Sequence, residues 1–139
     1  MIVRRLPLAL AVLALVTTTA CEKPAPQITI ASSGRVINVD ASQYCFGTCL
    51  VHAVATKSIR VRGNTTVSFD VPKRVARKGW ILVFAGQPQF AQPRNESHYT
   101  LSIPSIAQSQ PLDVSIIETG TGDPAKPTGE WKMQFLVRE

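Results

Sequence analysis

Trp131-Lys132-Met133-Gln134-Phe135-Leu136-Val137-Arg138 puts Trp131, Met133, Phe135 and Val137 on one side and Lys132, Gln134 and Arg138 on the other. Successive side chains of a strand point to opposite faces, so this alternation predicts a strand half buried against a core. The same period of two returns at Ile28 and Ile30, Ile37 and Val39, Ile59 and Val61, and Val67, Phe69 and Val71. It returns again at Leu101 and Ile103 and at Leu112, Val114 and Ile116. No window of a dozen residues repeats apolar positions at helical spacing. Trp80-Ile81-Leu82-Val83-Phe84 is apolar on both faces, which predicts a central strand covered on each side.

Breakers separate these runs at Ser33-Gly34, Gly63-Asn64, Pro72 to Gly79, Gly86 to Asn95, Pro104 to Pro111 and Gly120 to Gly129. Seven to nine short strands result. Such spacing predicts an all-β fold, an immunoglobulin-like sandwich forming one domain over residues 28–139. Gly120-Thr121-Gly122-Asp123-Pro124 reads as an exposed loop tip.

Upstream of the domain, Met1 to Arg5 is short and positive, and Leu6 to Val16 is an apolar run. Thr17-Thr18-Thr19-Ala20 is small and polar before Cys21. These are the three regions of a secretory signal peptide over residues 1–20. The apolar run is too short to cross a hydrocarbon layer about 30 Å thick, so it reads as a leader and not as an anchor. The small residues before Cys21 resemble the bacterial lipobox, in which such a cysteine receives a diacylglyceryl group before cleavage on its N-terminal side. Thr18 stands where that pattern prefers leucine, and Thr18-Thr19-Ala20 would also serve ordinary signal peptidase. Lipid on Cys21 would give durable membrane attachment. Residues 21–27, with Glu22-Lys23-Pro24-Ala25-Pro26, then read as a flexible tether.

The whole chain of 139 residues carries a formal charge of +6; without Arg4 and Arg5, 13 basic side chains face 9 acidic ones, leaving +4. A mildly basic domain suits anionic headgroups or acidic wall polymers, and equally suits plain solubility. Lys73-Arg74-Val75-Ala76-Arg77-Lys78 concentrates four positive charges between two strands. Tethered near a bilayer, Lys73, Arg74, Arg77 and Lys78 would meet an anionic surface, the plainer expectation being a solvent-facing turn. Nucleic acid is excluded as a partner by the compartment and by the lack of aromatic residues among these charges.

Tyr44-Cys45-Phe46-Gly47-Thr48-Cys49 holds the only thiols besides Cys21. Outside the cytosol such a pair is oxidised, and a bridge closing so small a loop contributes about 2 kcal/mol. Adding His52 gives a competing set, Cys45, Cys49 and His52, with the ligand types that hold copper or zinc. His98 reads as a solvated loop histidine.

Catalytic patterns are absent from the sequence: no serine elbow, no paired helical histidines, no phosphate-cradling glycine loop. Asp40, Asp70, Asp113 and Glu118 are scattered along it. Asn64-Thr65-Thr66 and Asn95-Glu96-Ser97 match the glycan acceptor pattern, a chance match in a bacterial chain.

With Tyr44-Cys45 and Cys49, the strand Val67-Ser68-Phe69-Asp70-Val71-Pro72, and Val75-Ala76 leading through Gly79 to Trp80, the chain resembles an uncharacterised family of actinobacterial envelope proteins. The likeness spans roughly residues 28–138. That family has no established activity, so the resemblance implies source and location alone. The expectation is a non-enzymatic lipoprotein of the cell envelope without cofactor, its partners the membrane, through lipid on Cys21, and another envelope component. The alternative is a redox or copper-handling lipoprotein using Cys45, Cys49 and His52.

Overall fold

The computed structural model describes residues 23–105, 110–120, 122–123 and 125–139. The expected leader over 1–20 and the expected lipidation site Cys21 lie outside the described residues.

Eleven strands are present among the described residues: β1 (Ile28–Ser32), β2 (Arg35–Val39), β3 (Gln43–Phe46), β4 (Thr48–Val51), β5 (Lys57–Arg62), β6 (Thr66–Asp70), β7 (Trp80–Phe84), β8 (Gln87–Pro88), β9 (His98–Ser102), β10 (Pro111–Glu118) and β11 (Gly129–Arg138). A single helical turn, α1 (Lys73–Ala76), joins β6 to β7. One sheet has the order β2-β1-β6-β9, the other β4-β3-β11-β10-β7-β8. β5 lies parallel to β11, and every other pairing is antiparallel.

The all-β, two-sheet architecture is as expected, and eight of the eleven strands coincide with alternating or apolar runs of the sequence. The other three are β3, β4 and β8. The inward-facing residues meet between the sheets. Ile28, Ile30, Val67 and Phe69 come from one sheet; Ile116, Trp131, Met133 and Phe135 come from the other, and each is at most 1% exposed. Phe69 and Phe135 stack across the interface with ring centres 6.1 Å apart. Burying a side chain of this size contributes about 1.5–3 kcal/mol, and Trp80, Leu82 and Ile59 are buried as fully.

β11 is the organising strand. Along one side it pairs with β10 from Gly129 to Leu136. Along the other it pairs first with β3, at Gly129 and Glu130, and then with β5, from Met133 to Arg138. β7 corrects an expectation: it is not central, because its outer neighbour β8 has only two residues. Trp80, Ile81 and Leu82 are buried, whereas Val83 and Phe84, beside that short strand, are half exposed. The loop from Gln89 to Ser97 covers Trp80 instead, with Phe90 edge-on at 5.5 Å and the indole N–H donating to the Glu96 carbonyl at 2.8 Å.

Candidate functional site

Residues Lys23 to Gln27 were expected to form part of a flexible tether, but they are docked on the sandwich. The Trp131 indole N–H donates to the Pro26 carbonyl at 2.8 Å, and the Arg74 guanidinium donates to the Pro24 carbonyl at 3.0 Å. Ala25 packs on the core and Pro26 is buried. Proline lacks an N–H, so a proline-rich segment engages its surroundings through carbonyls, and both donors here reach carbonyls.

Beside this segment stands the β3–β4 hairpin. Cys45 and Cys49 are register partners and form a disulfide, their Cα atoms 3.9 Å apart. The turn is a single residue, Gly47, with φ 91°, a backbone conformation that a side chain disfavours. The hairpin is two-sided. Tyr44 and Cys45 are buried, while Phe46, Leu50 and Val51 are 46%, 41% and 81% exposed.

The basic run divides by direction. Val75 and Ala76 plug the core from α1, at 0% and 1% exposure, so the segment is more than a solvent-facing turn. Arg74 lies over the rings of Tyr44 and Phe46, 5.7 and 5.6 Å from their centres. The Lys78 ammonium donates to Glu118 at 3.0 Å and lies 5.2 Å from the Tyr44 ring centre. Lys73 and Arg77 stand exposed.

Glu118 is a fully buried carboxylate that sequence reading left among scattered acids. It accepts from Lys78, from the Thr128 hydroxyl at 2.7 Å and from the Tyr44 hydroxyl at 3.4 Å. Buried charges persist when paired and hydrogen-bonded, and all three partners serve that end. Its signal was present in the chain: Glu118 continues the inward period of Val114 and Ile116 on β10. Burial disfavours the charged form of Lys78, but the hydrogen bond and charge of Glu118, followed by those of Tyr44, outweigh it and raise the Lys78 pKa above 10.5.

An open recess of about 530 Å³ lies at this end, lined by Pro24, Ala25, Asp40, Ala41, His52, Val54 and Arg74 among others. The structure thus brings His52, Arg74 and the hairpin to one end of the sandwich. It does not assemble a metal centre from Cys45, Cys49 and His52, since both sulfurs are joined to each other. No group of three His, Cys, Asp or Glu side chains among the described residues is placed to hold a metal ion. His98, expected in a loop, sits on β9 opposite Asp70 of β6, its Nδ1 2.7 Å from the carboxylate.

No protein-family model, curated protein or solved structure matches this chain.

Proposed function

We propose that the chain is an exported lipoprotein held at the outer face of a membrane by lipid on Cys21. Its sandwich, which we assign to the immunoglobulin-like class on size and two-sheet layout, acts without catalysis as a binding or scaffolding module of the cell envelope. The observation that carries this reading is the docking of Pro24 and Pro26 on Arg74 and Trp131. Pro24 lies three residue steps after Cys21, a span of about 10 Å when fully extended. A lipid at Cys21 therefore holds the domain close to the bilayer, with the hairpin and α1 turned toward it.

Other features support the same reading. The Cys45–Cys49 disulfide suits an oxidising compartment outside the cytosol. Lys73 and Arg77, exposed at the tether end, suit anionic headgroups at roughly 1 kcal/mol per charge at low salt. The test is Cys21→Ala in cells fed a labelled fatty acid. We expect loss of label and a shift from the membrane fraction to the medium or periplasm. A substituted protein that still takes up label and sediments with membranes would overturn the reading.

A further inference from the structure

We propose that the furrow between β2 and β5 is a binding site for a ligand bearing several phosphate groups, held by Arg35, Arg60, Arg62 and Arg138. The alternation of β5 turns Ile59 and Val61 inward, each 2% exposed, and leaves Arg60 and Arg62 outward. β11 does the same, burying Val137 and exposing Arg138, and the parallel register sets Arg62 beside Arg138. Arg35 comes from the other sheet, at the start of its edge strand β2. The sandwich thus gathers onto one seam four arginines spread over a hundred positions of sequence.

Two recesses run along this seam, of about 260 and 340 Å³, and they share Arg35 and Arg60. None of the four arginines enters an ion pair among the described residues. Glu139 is the one carboxylate side chain lining the larger recess, so the positive charge is not neutralised there.

A second observation points to a ligand independently. Ser32, opposite Arg35 in the β1–β2 register, lines the smaller recess and is only 7% exposed, yet its Oγ has no hydrogen-bond partner. Buried hydroxyls ordinarily have one. An oxygen-rich anion entering between Arg35 and Arg60 would accept from that hydroxyl, while the guanidinium forks supply the paired N–H donors that match phosphate oxygens. Two linked recesses fit a chain of phosphates better than a single anion.

The site is separate from the tether. Segment 24–26 enters β1 at Ile28, opposite Val39, whereas Ser32 and Arg35 close the far end of the same pair, about 13 Å along the strand at 3.3 Å per residue. The inference stands whether or not Cys21 carries lipid.

The test is calorimetric titration of the processed protein, purified in a nonionic detergent, with tripolyphosphate and with citrate as a multivalent carboxylate probe. We expect saturable binding, tighter for tripolyphosphate. Arg60→Gln combined with Arg62→Gln should weaken it by about tenfold or more, through loss of two charge-assisted donor sets. Arg60→Lys, which keeps the charge but removes the fork, should also weaken it, as should Ser32→Ala. The pair Lys126→Gln and Lys132→Gln, both exposed and lining neither recess, should leave it unchanged. Three results would overturn the proposal: no saturable binding, citrate bound as tightly as tripolyphosphate, or equal losses from the two double substitutions. Thermal melting of each variant separates lost binding from lost fold.

Discussion

The ammonium of Lys78 reaches Glu118 across 3.0 Å, joining a side chain that is 43% exposed to one that is fully buried. The pair is asymmetric, because solvent can take over the role of Glu118 for Lys78 but cannot take over that of Lys78 for Glu118. Lys78→Met should therefore destabilise the fold by about 1–2 kcal/mol, less than the 3–5 typical of fully buried pairs because water screens this one. Glu118→Gln in the same background should recover part of the loss. Urea unfolding of the two single variants and the double variant measures the coupling.

The same pair sets an alkaline limit. A pKa raised on folding gives stability that is fully present below the unfolded value, about 10.4, and is lost as pH climbs through the folded one. Lys78 has such a raised value. Stability should hold from neutrality to roughly pH 10 and decline beyond it. The gap between wild type and Lys78→Met should close over that range. A gap that is unchanged at high pH would show that the ion pair is not its source.

Trp131→Phe keeps an aromatic ring in the core but removes the N–H that holds Pro26. The orphaned carbonyl and the lost ring volume should together cost about 1–3 kcal/mol. The loss should be local as well as global: hydrogen exchange at the start of β1, which the segment enters and which is paired on both sides, should accelerate more than exchange within β10. Uniform acceleration would mean that the indole supports the core and not the docking of the segment.

Replacing Cys45 and Cys49 together by Ser should lower stability by about 2 kcal/mol, at the low end for disulfides because the loop is short. The register of β3 on β11 should persist, since Gly129 and Glu130 pair with Tyr44 and Gln43 independently of the bridge. Gly129 itself is less tolerant. A methyl group there would lie 2.9 Å from the rings of both Tyr44 and Trp131, so Gly129→Ala should cost about 1–3 kcal/mol by overpacking. Thermal melting distinguishes these two effects, and near-ultraviolet dichroism should report the second through Tyr44 and Trp131.

Legibility in the sequence followed the period of two. β5, β6, β10 and β11 show it plainly because one face of each meets the core and the other meets water. β3 and β4 do not. All four residues of β4 are exposed, so no alternation marks it, and the cysteine pair that marks the place reads only as a cross-link. At the tether-side end, the thiols, His52 and the basic residues were legible as residue types. Which of them turn inward was not, because Arg74 and Lys78 are placed by α1 plugging the core with Val75 and Ala76. The arginine seam was invisible for a different reason: its members lie on three strands, and only the parallel pairing of β5 with β11 brings two of them side by side.

The position of β11 has a consequence for the order of events when the chain is made. It follows every other strand in sequence, yet β3, β5 and β10 all find their partner in it. A chain emerging amino end first can assemble the β2-β1-β6-β9 sheet and can pair β7 with β8 and β10, but β3 and β5 are not joined to β10 until residues 129–138 arrive. Loop closure over such separations is slow, so the second sheet is completed only after β11 has been made. For the exported chain proposed above, leaving the closing step to β11 would keep the two parts of the second sheet apart while the chain passes the membrane as an extended polymer.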